Sequence, residues 1–405
     1  MKTAGIASGT MAPAKQMRTP SRSDFELPEG EVYLNGGFQS PLPRAARAAV
    51  EDAYRLKAWP FTTPDDAQLR MPDAARERLG RVMGVPADQI GVTTSTSFGA
   101  MLMAQGIRCR EGDRVLLGPD EFPGNVYPWL ALEERGVRVE FIGVAGRPLA
   151  PEQLAEALQA PGRVRALAVA AIHYVTGDVH PLAELAALLR SYGAHMIVDA
   201  AQALGAVAID WAGSGADAVL ASGYKWLYGP SGSGAIWVKP SFREQLLNVN
   251  GNWLALEAAE DFGAVMKHYP RAYAAHGRRF DVGQAASHLN LAALGAGLDY
   301  LLSIGVSQVE AHHRSLQDAV VDAVAGMPLE LVTRLDTAHR GPLLMLAPDA
   351  SLDLPRLCSE LTRRSVHVSL RGGRMRVSPG VWNDESDVRT FSDVVSELLP
   401  ACRKV

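Results

Sequence analysis

Cysteine is scarce in this chain: Cys109, Cys358 and Cys402 are the only three among 405 residues. An odd count without framework spacing excludes a disulfide-built scaffold and a thiolate zinc site. No apolar run reaches the eighteen or so residues that a membrane helix needs. The opening stretch MKTAGIASGTMAPAKQMRTPSRSD lacks the continuous apolar core of an export signal. An excess of one charge is lacking too. The 40 basic and 44 acidic residues leave a net charge of −4, with no basic stripe for nucleic acid and no polybasic anchor for a membrane surface. A cytoplasmic protein that binds neither is expected. Lysine is also sparse, with seven among the forty basic residues.

What is present is ordinary globular composition, 47% apolar and 21% charged. A chain of this length predicts two or three domains, at roughly 150 residues each. It buries enough surface to fold without staples. Residues 1–28 read as a flexible tail of small and polar residues. From Gln89 onward, short runs that are apolar at every position alternate with helical stretches. The runs are IGVTTS, RVLLGP, RVEFIGV, RALAVAAIHY, HMIVDAA, AVLAS and GAIWV. Strands apolar on both faces, alternating with helices, predict an α/β fold with a mostly parallel sheet flanked by helices. This large domain is expected over 29–285. The helix-like HLNLAALGAGLDYLLSIG then leads into a smaller α+β C-terminal domain, 286–405. Ligands of such sheets sit beyond the carboxyl ends of the strands, so the polar residues there carry the functional reading.

Lys225 is one of them. It follows AVLAS and is flanked by Tyr224, Trp226 and Tyr228. A desolvated lysine has a lowered pKa, and its neutral amine can form a Schiff base. A lysine that snorkels to a phosphate or pairs with a carboxylate fits the same context. Asp199 ends the apolar run HMIVD, where a carboxylate is costly unless paired. It suits a protonated pyridine nitrogen, or equally the cap of the next helix. Thr94, Ser95, Thr96 and Ser97 precede a helix and can offer hydroxyls and N–H groups to a phosphate. Ser222 adds another hydroxyl three residues before Lys225.

In this order and context the chain resembles the class V aminotransferase group of fold-type-I pyridoxal-phosphate enzymes, and more narrowly its isopenicillin-N-epimerase-like, non-desulfurase branch. The resemblance runs from about Tyr33 to the C-terminus. It rests on DEFPGNVYPW, VTGDVHPL, VDAAQALGA, SGYKWLYGPSGSG, RRFDVGQ and RVSPGVWNDESDV. It implies pyridoxal 5′-phosphate as cofactor and a small-molecule amino-acid substrate. It also implies a homodimer with the site at the subunit interface. Lys225 would carry the cofactor as an aldimine and move protons at Cα. Asp199 would pair with the ring nitrogen, Gln202 with the phenolic oxygen, and Phe122 would stack on the ring. Thr96, Ser97 and Ser222 would bind phosphate. Tyr224 stands where many relatives place a phosphate-binding histidine. Gly283 and Gln284 match the segment that reaches the partner's phosphate, with Gln284 departing from the usual threonine. Arg376 matches the arginine that grips the α-carboxylate. Arg371 would take a distal anionic group, and Tyr174 stands where some relatives carry asparagine.

The resemblance implies an aminotransferase or a lyase acting through a Cα carbanion, with an amino-acid epimerase as the alternative. A cysteine desulfurase is disfavoured, because no cysteine lies between Ser359 and Arg376 to supply a reactive thiol. Ser222-x-x-Lys225 matches the motif of acyl-serine hydrolases, but the companion motifs are absent. A non-catalytic relative would not need so complete a set of site residues.

Overall fold

The computed structural model describes residues 18–64, 66–283 and 287–404. In chain order β1 (Val32–Tyr33) comes first. Then follow β2 (Ile90–Thr93), β3 (Arg114–Leu117), β4 (Arg138–Phe141), β5 (Val164–Ala170), β6 (His195–Asp199), β7 (Ala218–Ser222) and β8 (Gly234–Val238). β2 to β8 form one sheet in the order β2-β8-β7-β6-β5-β3-β4. β4, β3, β5, β6 and β7 are parallel, and β8 runs antiparallel between β7 and β2. Six of these strands are buried along essentially their whole length. Only edge strand β4 exposes side chains, which is where Arg138 and Glu140 can stay in water. The chain is thus an α/β protein with a mostly parallel central sheet flanked by helices.

β9 (Leu329–Leu331), β10 (Leu344–Pro348), β11 (Val366–His367), β12 (Ser369–Arg371) and β13 (Arg374–Val377) complete the strands. An antiparallel sheet of order β12-β13-β10-β9 shares a core with helices Val306–Ala323, Leu354–Arg363 and Glu385–Leu398, where Leu316, Leu357, Met375 and Phe391 meet. β12 and β13 are joined by Gly372 and Gly373 alone, since Arg371 faces Arg374. Both glycines have positive φ, 53° and 73°, the conformation a two-residue hairpin demands.

Two segments cross the limits expected at residues 28 and 285. Residues 18–28 were expected in the tail, yet Phe25 is buried and packs edge-on against Tyr300 and Trp382, with ring centroids 5.5 and 5.6 Å apart. One large apolar side chain in a polar stretch makes no periodic pattern, so only the tertiary pocket reveals its role. Residues 1–17 lie outside the described residues. β1 then pairs in parallel with β11 as a separate two-stranded sheet, and Asn35 bridges Ser378, so this early segment lies with the C-terminal strands. Helix His288–Ile304 packs instead on helices Arg44–Ala58 and Ala67–Met83 beside the main sheet.

β2 is held by a buried ion pair. Arg76 makes a fork to Asp281, with Nη1–Oδ1 2.8 Å and Nη2–Oδ2 3.0 Å, and Asp281 Oδ1 also accepts from Val92 N–H. Removing Asp281 leaves the buried guanidinium with only the exposed Asp73 carboxylate, which its Nη2 meets at 2.9 Å. Asp281→Ala is therefore expected to lower stability by about 3 kcal/mol, read as a shift of the chemical denaturation midpoint. A shift below about 0.5 kcal/mol, the size of an ordinary surface substitution, would show that the pair holds nothing.

Candidate active site

The carboxyl ends of β2, β3, β5, β6 and β7 open onto one cavity of about 230 Å³. Each strand delivers its polar group there because parallel strands end on the same edge of the sheet. β6 ends in Asp199 and β7 in Ser222, followed at once by Tyr224 and Lys225. Of the residues picked out in the sequence, Thr96, Ser97, Phe122, Tyr174, Asp199, Gln202, Ser222, Tyr224, Lys225, Arg371 and Arg376 all line this cavity. Gly283 does not, and lies nearest Asn252. Gln284 is outside the described residues.

Lys225 is 9% exposed, whereas Lys57, Lys239, Lys267 and Lys404 are exposed. Its Nζ lies 5.8 Å from the Phe122 ring centre and 5.7 Å from that of Tyr224. Burial pulls its pKa down to about 8; Asp199 opposes that shift, while Arg376 and Arg371 add to it. Burial pushes the Asp199 carboxyl up, countered by the Ala201 N–H bond and by Lys225. Each charge offsets part of the other's desolvation.

Helix Thr96–Gly106 starts at the cavity, capped by Ser95 Oγ, which accepts from Phe98 N–H at 3.1 Å. Thr96 is thus the first helical residue rather than part of the preceding turn. Its N–H donates to Ser222 Oγ at 3.0 Å, and the two hydroxyls lie 2.9 Å apart. Two hydroxyls and a helix N-terminus converge there, a donor set suited to a phosphate.

Gln202 is locked by a chemistry that fixes which way its amide faces. Trp226 Nε1–H can only donate, and it meets Oε1 at 3.0 Å. Nε2 must then be the donor to Gly37 O at 2.8 Å, and its second N–H stays available to the cavity. Phe122 is 52% exposed and meets Tyr174 edge-on at 6.1 Å, so it forms a wall of the cavity and not part of the core.

Arg376, on β13, is 3% exposed. Its Nη2 reaches Asn35 Oδ1 and Ser369 Oγ at 3.4 Å each, and its Nε has no partner among the described residues. Burial and Arg371 lower its pKa to about 10. Three contributors were not foreseen. Asn35 and Gly37 come from the turn NGG: a Cβ at Gly37 would sit 2.6 Å from Leu343 Cδ2 and 3.3 Å from Arg376 Cζ, so only glycine lets the chain pass. The NGG triplet was the available signal. The third is Glu121, fully buried, which accepts from Ala170 N–H and Asn125 Nδ2 at 2.8 and 2.9 Å. Burial raises its pKa to about 8. It ties the Phe122 loop to the end of β5.

The family model "Aminotransferase class-V" matches residues 65–389. The chain belongs to this family. Probable cysteine desulfurases of Methanothermobacter thermautotrophicus and Pseudomonas aeruginosa are each 28% identical to it, the first over 94% of this chain and 98% of its own, the second over 95% and 99%. A kynureninase of Deinococcus radiodurans is 27% identical over 79% and 78%. Among solved structures, a C-DES mutant with glycine covalently linked to the PLP cofactor superposes with a TM-score of 0.85, at 21% identity, over 94% of this chain and all of its own. The apo cysteine desulfurase of Thermococcus onnurineus gives 0.82 at 20% identity, over 96% and 100%. The fold is that of fold-type-I enzymes. The chain is a pyridoxal-phosphate-dependent class V enzyme acting on amino acids.

A buried amine with a folded value near 8 attacks only when neutral. Reductive methylation of Lys225 in the cofactor-free protein should rise about tenfold per pH unit below 8 and level off above it, read by mass spectrometry of the Lys225 peptide. A half-point at 10 or higher would mean that burial leaves the amine unperturbed.

Proposed function

We propose that this family member is an α-amino-acid lyase or aminotransferase that uses Lys225 to move protons and needs no cysteine nucleophile. One observation carries the reading: among the described residues no thiol lines the cavity. Cys358 sits on helix Leu354–Arg363, its thiol pushed up to about 12 by burial. Cys402 is buried and Cys109 partly so, and burial raises both thiols. The approach to Arg376 is the tight Gly372–Gly373 hairpin, with no length to carry a reactive side chain. The names of several relatives, cysteine desulfurase, describe a chemistry that would require an accessible thiolate. The cystine C–S lyase C-DES is among the structures that superpose on this chain, in keeping with a lyase.

The residues present fit pyridoxal phosphate. Asp199 would face the ring nitrogen, Gln202 Nε2 the phenolic oxygen, Phe122 the ring face, and the Thr96, Ser97 and Ser222 groups the phosphate, with Tyr224 beside them. Bound there, the cofactor supplies an aldehyde that condenses with amines and a ring that draws off electrons from Cα. Lys225, its pKa lowered to about 8 so that a share of the amine is neutral near physiological pH, can accept the Cα proton and return it. Asp199 would set its carboxyl group where the ring's cationic nitrogen is to be held, with the Ala201 N–H and Lys225 countering the burial that pushes its pKa up. Arg376 orients the substrate through its α-carboxylate, its planar fork matching two oxygens. Phe122 and Tyr174 shield the reacting centre from water.

A variant with Cys109, Cys358 and Cys402 all replaced should retain turnover on an L-amino-acid panel that includes cystine. Release of ammonia with a keto acid marks a lyase, and dependence on an added keto acid marks an aminotransferase. Loss of turnover in a folded, cofactor-loaded triple variant would overturn the thiol-free reading.

The same reading takes the enzyme as a homodimer, with Gly283 of one protomer near its partner's site. The exposed Phe38, Met101 and Tyr127 near the cavity suit such an interface. Sedimentation of the holoenzyme should give twice the mass of one chain, and an active monomer would contradict it.

A further inference from the structure

The cavity holds more positive charge than one amino acid can balance. Lys225, Arg371 and Arg376 line it, against Asp199 as the single carboxylate among the described residues. Neither arginine has an ion-pair partner among those residues. Arg371 spends one N–H on Leu370 O at 2.8 Å and keeps the rest of its donor fork uncommitted. Arg376 is buried and Arg371 half-buried, and a cation drawn out of water without an anion is costly, so an anionic ligand stabilises both. The phosphate donors stand on the main sheet and its first helix, at Thr96 and Ser222. Both arginines stand apart, on β12 and β13. An α-carboxylate satisfies one of them.

We propose that the substrate is an α-amino acid carrying a second anionic group, with Arg376 taking the α-carboxylate and Arg371 the distal acid. The strand register places the two arginines for this. Ser369 faces Arg376 and Arg371 faces Arg374, so Arg371 is the diagonal neighbour of Arg376 on one face of the hairpin. Diagonal neighbours have Cβ atoms about 7–8 Å apart, close enough for two long guanidinium arms to converge on one short diacid. The two-glycine turn holds that spacing, since it allows no slack between the strands. Tyr174 and Phe122, which meet edge-on at 6.1 Å, add aromatic surface to the same cavity, which suits a short side chain between the two acids. This inference rests on the amino-acid reading given above and adds the class of amino acid.

The test is calorimetric titration of the holoenzyme with succinate and glutarate against their monoamides, succinamate and glutaramate. The diacids are expected to bind about ten- to hundredfold tighter, the range for a charged hydrogen-bonded contact. In Arg371→Gln that ratio should fall to near one through loss of diacid affinity, and Arg371→Lys should keep part of it because the charge remains while the fork is lost. Equal affinity for diacid and monoamide in the native holoenzyme would overturn the proposal without any variant. A full preference surviving in Arg371→Gln would do so as well. A parallel absorbance titration with neutral and acidic amino acids separates the two levels. If neutral amino acids react and the diacid preference is absent, only the distal subsite is lost; if no amino acid perturbs the cofactor band, the amino-acid reading falls and this inference with it.

Discussion

The opposed burial of Lys225 and Asp199 is the constraint on which the rest of this molecule depends. Either charge alone in that apolar setting would cost several kcal/mol. Together they settle at the edge where two adjacent parallel strands, β6 and β7, stop. The strand directions oblige every neighbouring strand to end there too, so the hydroxyls after β2, the aromatic after β3 and the tyrosine after β5 reach the same cavity. The chemistry of the site is thus a consequence of sheet topology applied to a handful of polar residues at strand ends.

The other half of the cavity has a different origin. Arg371 and Arg376 belong to the antiparallel C-terminal sheet. The segment from Val32 to Gln39 runs between the two systems: it pairs with β11, supplies Asn35 to Arg376, and gives the Gly37 carbonyl to Gln202. Gly36 allows this passage, since a Cβ there would meet Trp226 and Trp382 at 2.8 and 3.0 Å. Gln202 therefore helps connect the main sheet to the wall that carries the arginines, as does Arg374, whose Nη1 donates to Val175 O at 2.8 Å.

Much of the main-sheet half was legible in the sequence. Runs apolar on every position, each ended by a polar residue, identify buried strands and the edge where a ligand sits, so Asp199, Ser222 and Lys225 could be picked out individually. The C-terminal half was harder to read. Arg371 and Arg376 were recognisable as residue types, but their common face depends on a hairpin register that no periodicity encodes. Asn35, Gly37 and Glu121 were missed because their roles arise from contacts with residues far along the chain. Phe25 escaped notice for the same reason, and Gly283 lies away from the cavity of its own chain.

The pairing of Val32 with Val366 bears on how the molecule is made. Contacts between such distant positions carry a large loop-closure cost and form late. A nascent chain emerging from the ribosome can assemble β3 to β7 early, since those strands lie within about a hundred residues of one another. Strand β1 must wait for nearly the whole polypeptide before it finds a strand to join. Competence for substrate is consequently acquired last, and a fragment stopped short of β11 would own a pocket for the cofactor without the wall that recognises what the cofactor is to act upon.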